Sequence, residues 1–176
     1  MDWNDRSTCV LFGDGAGAAV VRMDKEGLNS IVQGSDGVRG RALICQNRPV
    51  NNPFIKNGTE LDYTHMDVQS VYKFAVKTVP EAITEALCRA ETEADGIKYF
   101  VLHQANIRII EAVAKKMKQP IEKFPTNLRK CGNISAGSVP ALLDLINRQG
   151  KLNRGDKIVL AGFGAGLTWG AAVLTW

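Results

Sequence analysis

Histidine is scarce in this chain: two in 176 residues, beside four cysteines. No two cysteines have C-x-x-C spacing, so a zinc site is not expected. Long apolar runs are missing too. No stretch reaches the roughly 18 apolar residues of a membrane-spanning helix, and the first residues lack the basic-then-apolar pattern of an export signal. Thiols without an export signal fit a reducing compartment, so a cytoplasmic protein without membrane contact is expected. A strong charge excess is also lacking. The balance of 22 basic and 18 acidic side chains leaves +4, too mild to imply a nucleic-acid partner. No solenoid-type repeat is present.

What is present is ordinary globular composition, 45% apolar and 23% charged, with length enough for one domain with a real core. Residues 9–12 read as a strand, Gly13-Asp14-Gly15-Ala16-Gly17 as a tight turn and residues 18–21 as a second strand, a hairpin by its Asp-Gly signal. The glycines suggest a phosphate cradle, but no Lys-Ser or Lys-Thr follows, which favours a turn. So abrupt an opening suggests an internal piece of something larger. Residues 28–32 form the next candidate strand. Residues 34–64 read as a long loop carrying Arg39, Arg41 and Arg48.

The clearest helix follows. Val68, Val71, Tyr72, Ala75, Val76, Val79, Ile83, Ala86 and Leu87 step by three and four, with Asp67 as N-cap and Pro80 inside the run. Residues 99–102 predict a strand, Asn106 a cap, and Ile107, Ile110, Val113, Ala114 and Met117 one face of a second helix. Its other face holds Arg108, Glu111, Lys115 and Lys118, with Lys116 alongside and a Glu111–Lys115 pair. Residues 123–128 read as a short extended stretch. A helix opens at Ser138-Val139-Pro140 and stops at Gly150, and residues 158–161 and 167–176 are strands around Gly162-Phe163-Gly164-Ala165-Gly166. The predicted order is β-hairpin, β, α, β, α, short β, α, β, β, an α/β class. Residues 12–21 and 163–173 echo each other, as if two similar halves ended in one device.

Two stretches carry candidate chemistry. Residues 98–106 deliver His103 at the C-terminal end of a strand, just before a helix. Cys131-Gly132-Asn133-Ile134-Ser135-Ala136-Gly137-Ser138 delivers Asn133 in a loop of small residues. Open α/β sheets place ligands at such strand ends. An imidazole and a carboxamide can each donate a hydrogen bond to one developing oxyanion. By spacing alone, a single histidine is more often a satisfied core residue. The lean of the second helix toward cations, beside that histidine, suggests an acidic partner.

Taken together these strings resemble the β-ketoacyl-acyl-carrier-protein synthase III family. The resemblance rests on residues 11–19 (Leu-Phe-Gly-Asp-Gly-Ala-Gly-Ala-Ala), 103–110 (His-Gln-Ala-Asn-Ile-Arg-Ile-Ile), 132–138 (Gly-Asn-Ile-Ser-Ala-Gly-Ser) and 162–170 (Gly-Phe-Gly-Ala-Gly-Leu-Thr-Trp-Gly), with Met66 and the helix after it. It implies a thiolase-like fold of two duplicated halves in layers of helix and sheet. Residues 1–23 would be the closing hairpin of a first half that is missing, and residues 28–176 a whole second half. In the family a nucleophilic cysteine, a histidine and an asparagine carry the chemistry. The last two match His103 and Asn133. The cysteine belongs upstream of Met1, and none of Cys9, Cys45, Cys88 or Cys131 matches it.

The resemblance further implies an oxyanion backbone and pocket wall at Phe163, Gly164 and Ala165, and a substrate pocket at Met66 and Ala105. It places carrier-protein docking at Arg108, Lys115 and Lys116. Acyl-coenzyme A and malonyl-carrier protein would be substrates, with no cofactor and no metal. The chain alone would be inactive, and its uncovered apolar faces would form homo-oligomers. Cys131, Gly137 and Ala165 depart from residues common in the family and leave starter preference open. Three other readings remain: a condensing enzyme of polyketide or quinolone type, a non-catalytic carrier-binding module, and a hydrolase built on Cys131 and His103.

Overall fold

The computed structural model describes residues 1–45, 54 and 63–176. Alternation of side chains builds its main sheet. Strand β1 (Leu28–Ser35) buries Ser30 and Val32 and exposes Ile31 and Gln33. After a 3-10 segment over Gly37–Ala42, the two-residue strands β2 (Leu43–Ile44) and β3 (His65–Met66) form a separate antiparallel ribbon. Strand β4 (Tyr99–Leu102), β5 (Lys157–Gly164) and β6 (Thr168–Thr175) complete the sheet, in the order β1-β6-β5-β4. β4 and β5 are parallel; the other neighbours are antiparallel. The predicted 34–64 loop is thus interrupted by the 3-10 segment and the ribbon, with Arg39 and Arg41 in the former. Arg48 lies outside the described residues.

Helix α1 (Val68–Arg89) starts where Asp67 accepts the Ser70 N–H at 3.0 Å. It runs through Pro80, which lacks an N–H for Val76 but is itself buried. Burial along the apolar stripe outweighs the one lost bond. Helix α2 (Ile107–Met117) is capped by Asn106, which accepts the Arg108 N–H at 2.9 Å, and ends at left-handed Lys118. Both helices cover one face of the sheet. Ile83, Phe100, Val113, Val159 and Val173 are fully buried there. Helix α4 (Ser138–Arg148) covers the other face at β4 and β5, where Leu142 and Ile146 meet Val101 and Ile158. Beyond it, on β1, Ile31 stays about half exposed (48%). No helix among the described residues is long and apolar enough to cross a membrane.

Two expectations are corrected. Residues 1–23 form no hairpin. Turns run to residue 11, Phe12 makes one isolated parallel bridge with Asn133, and residues 13–23 have no regular structure. A strand persists only where a neighbour completes its ladder, and among the described residues this stretch has only the Asn133 backbone. Residues 123–128 are not extended either. A 3-10 turn over Ile121–Lys123 leads to Phe124, which stacks on Phe100 at 4.7 Å, and the short helix α3 (Leu128–Cys131) follows. Tertiary burial of one aromatic ring decides the local path there.

Candidate active site

His103 extends β4 by one rung: its N–H donates to the Ala161 carbonyl at 2.8 Å. Its ring nitrogen Nδ1 lies 2.6 Å from Ser138 Oγ, and the Phe163 ring stands edge-on at 5.2 Å. Burial pushes the imidazole pKa down to about 4. The ring is therefore neutral near neutral pH, because a buried site disfavours the charged form. Nε2 makes no hydrogen bond among the described residues.

Asn133 arrives from the other side. Gly132, at φ +65, turns the chain out of α3 in a conformation that glycine adopts at low cost. The Asn133 backbone is then held on both flanks. Its N–H donates to Leu11 O at 3.1 Å, and its carbonyl accepts the Gly13 N–H at 2.9 Å. In the side chain Oδ1 accepts the Ser135 N–H at 2.9 Å. An N–H needs an acceptor, so this contact orients the amide and leaves the Nδ2 hydrogens as its free end.

Fully buried Gln104 ties the two arms together. Its Nε2 donates to Leu102 O at 2.8 Å. Its Oε1 accepts from Thr126 Oγ1 at 2.7 Å and from the Asn127 N–H at 3.3 Å, on the approach to Asn133. The turn after Phe163 is anchored by a reciprocal pair of backbone bonds between Asp36 and Leu167, 2.7 and 2.9 Å. Phe74 braces Phe163 from behind in an edge contact at 6.3 Å. Arg39, ion-paired to Asp36, sits 5.2 Å above the Phe74 ring.

These elements line an open cavity of about 1080 Å³. His103, Asn133, Phe163, Gly164, Ala165, Met66 and Ala105 all line it, so every residue the sequence suggested for the pocket is found in one place. Cys45 lines it as well, which sequence reasoning did not anticipate. Cys131 is half-buried and not among the lining residues. No hydrogen bond joins Cys131 to His103 among the described residues, where the bonded imidazole nitrogen meets a serine instead, so the geometry does not support a Cys131–His103 nucleophile–base pair. No cluster of three His, Cys, Asp or Glu side chains suited to a metal ion occurs among the described residues.

Arg108, Lys115 and Lys116 are exposed on α2, whose first turn follows directly on Ala105 at the cavity wall. Among the described residues none of the three makes an ion pair, and the expected Glu111–Lys115 bridge is not formed. Sequence reasoning missed Ser138 and Gln104. Ser138 was legible only as a helix opener, and the position of Gln104 next to His103 was its sole signal.

Comparison with known proteins gives consistent results. Residues 87–176 match the family described as 3-oxoacyl-acyl-carrier-protein (ACP) synthase III C terminal, and residues 1–37 match 3-oxoacyl-acyl-carrier-protein (ACP) synthase III. The chain is 46% identical to the β-ketoacyl-acyl-carrier-protein synthase III of Clostridium novyi (strain NT), over 100% of this chain and 55% of that protein. The fold is similar to the synthase III crystal structure from Thermus thermophilus, with TM-score 0.84 and 38% identity over 100% of this chain and 55% of the other. It is equally similar to that from Aquifex aeolicus VF5, with TM-score 0.85 and 34% identity over 99% and 53%. Those are thiolase-like folds, and the chain corresponds to their C-terminal half. It spans about half the length of the curated relatives it matches.

Proposed function

This chain belongs to the 3-oxoacyl-acyl-carrier-protein synthase III family, and from that premise we propose that its cavity is the decarboxylation half of a condensing active site. The observation that carries this reading is the convergence of a neutral imidazole and a carboxamide with free Nδ2 hydrogens on one cavity.

The reaction begins with a cysteine thiolate, supplied by a segment outside this sequence. It attacks an acyl-coenzyme A thioester and releases coenzyme A as its thiolate, which takes a proton from solvent. Malonyl-carrier protein then loses carbon dioxide, and the electron pair of the broken bond moves into its thioester carbonyl. The enolate oxygen is held by His103 Nε2–H and Asn133 Nδ2–H, each worth roughly 3 kcal/mol in such a hole. The enolate carbon attacks the acyl-cysteine carbonyl. That oxyanion is met by backbone N–H groups, one of them from the turn at Gly164 and Ala165. Its collapse breaks the carbon–sulfur bond and returns the thiolate. Both substrates are thioesters, and no cofactor takes part. Phe163 walls the nucleophile, while Met66 and Ala105 border the substrate.

None of Cys9, Cys45, Cys88 or Cys131 serves as nucleophile, so the chain alone forms no product. The test gives acetyl-coenzyme A and malonyl-carrier protein first to the chain alone, then to the chain co-expressed with the N-terminal half of the Clostridium novyi relative. Product is expected only in the second case. His103→Ala or Asn133→Ala then lowers turnover by about 10²–10³-fold. Product from the chain alone would refute the missing nucleophile, and unchanged turnover in both variants would refute the oxyanion hole.

The exposed cations of α2 favour an acidic helical carrier protein as partner. Arg108→Glu with Lys115→Glu raises KM for malonyl-carrier protein and spares coenzyme A thioesters; equal KM values in the variant and the parent would remove the docking role. The half-exposed sheet face at Ile31 supports association of the chain with itself or with its first half, in a cytoplasmic setting.

A further inference from the structure

Ser138 is completely buried at the start of α4. Its Oγ has three polar neighbours: His103 Nδ1 at 2.6 Å, the Gln104 backbone N at 3.2 Å and the Ser135 carbonyl O at 2.8 Å. A hydroxyl has one proton and two lone pairs. The Gln104 N–H can only donate and the Ser135 carbonyl can only accept. The imidazole nitrogen can do either, according to its tautomer. A single proton therefore decides the state of the ring. If it points at Ser135 O, Nδ1 must bring its own hydrogen and Nε2 is left bare. If it points at Nδ1, the ring hydrogen sits on Nε2.

Three features favour the second arrangement. The Ser135 carbonyl already accepts the Ser138 backbone N–H, so it stays paired without the hydroxyl. The 2.6 Å spacing is shorter than the usual 2.9–3.0 Å of N–H···O bonds and nearer to that of hydroxyl donors. The Gln104 N–H, by donating to Oγ, polarises the hydroxyl and makes it the better donor.

We propose that Ser138 is a positioning residue that donates its hydroxyl proton to His103 Nδ1 and so holds the ring hydrogen on Nε2, at the cavity. The placement rests on hydrogen-bond geometry; its use in catalysis rests on the reading of His103 as an oxyanion donor. Thirty-five positions separate the two residues in sequence, so the pair exists only because α4 packs beneath the end of β4.

The test is long-range 1H–15N correlation NMR of the full chain labelled with 15N-histidine, near neutral pH, with His65→Gln to assign the two rings. The Nε2–H form is expected to dominate for His103. In Ser138→Ala the ratio of Nε2–H to Nδ1–H falls about tenfold, the worth of one buried hydrogen bond. A wild-type ring with its hydrogen on Nδ1 overturns the proposal, and so does a Ser138→Ala ring with the wild-type ratio. The wild-type tautomer is read without any change at Ser138. If alanine prevents folding, Ser138→Cys, similar in shape and weaker as a donor, is read by the same criterion. The oxyanion reading fails by a different measurement, the turnover of His103→Ala.

Discussion

Residues 12–21 and 163–173 carry nearly the same string of glycine, alanine and valine, and they end in opposite states. The later stretch forms the end of β5, a tight turn and β6. Val173 there is completely buried, between the ladders of β1 and β5 and over α1. In the earlier stretch Val20 is 103% exposed, and no strand forms. Strand propensity is largely a fit to a half-buried surface with neighbours on both sides. One copy of the pattern has those neighbours and the other lacks them.

Some of the glycines differ as well. A Cβ on Gly13 would lie 2.2 Å from the Cys131 carbonyl oxygen, one on Gly15 2.7 Å from Ile134 Cδ1, and one on Gly17 2.7 Å from Pro140 Cβ. Gly162 and Gly164 have nothing within 4 Å of that position. The early glycines allow a close crossing over the Asn133 loop. Gly162 and Gly164 leave space beside the cavity, whereas Gly166 and Gly170 further on are crowded, a Cβ there meeting Thr168 Cγ2 at 2.5 Å and Val32 O at 3.2 Å. Irregular backbone is therefore not idle backbone: Leu11 and Gly13 hold the asparagine that the regular sheet does not reach.

The sharpest way to break this contrast is to place a carboxylate at each valine. Val173→Asp buries an unpaired charge and should cost about 4 kcal/mol or more, enough to unfold the chain. Val20→Asp should stay within about 0.5 kcal/mol. Urea midpoints check both, and similar losses would mean that residues 13–23 are packed in solution.

The next effect concerns the two arms of the site. His103 is held by the sheet, and burial lowers its pKa from the ordinary 6.5 to about 4. The unfolded chain therefore binds a proton more readily over that window. The contribution of the ring to stability is full above about 6.5 and declines as pH falls toward 4, by up to about 3 kcal/mol. His103→Gln should flatten that part of the pH–stability curve. Asn133, on the glycine-pinned arm, does not titrate, so Asn133→Ala should leave the slope in place.

A smaller effect separates the glycines. Gly13→Ala meets backbone 2.2 Å away and must displace the Asn133 loop, at about 1–3 kcal/mol. Gly164→Ala should cost less than about 0.5 kcal/mol in stability. Thermal unfolding of the two variants measures the difference. Equal shifts would remove the assignment of Gly13 to close packing and of Gly164 to open space.

Much of the fold was legible where the signal is long or dense. The stripe from Val71 to Leu87 outlasted an internal proline because nine other side chains of α1 are buried along with it. His103 and Asn133 were legible because each sits in an unusual string of small and polar residues, and the cavity joins them. The hairpin expected before residue 23 failed because an Asp-Gly turn and two apolar runs describe only the strands, not what they pair with. The stretch at 123–128 failed because a single contact, Phe124 on Phe100, outweighed local preference. Ser138 was illegible as a partner of the histidine because nothing near it in sequence indicates which strand end it will meet.

The sequence by itself determined the three long helices, the interior strands and the two polar side chains, His103 and Asn133, that meet at the cavity, because periodicity and motif spacing act over a few neighbouring residues. Only the tertiary structure decided which copy of the glycine pattern becomes a strand, which end of the Asn133 amide is free and which hydroxyl faces the imidazole. Those outcomes depend on burial and on partners contributed by segments far apart in the chain, and they exist only once the layers have packed.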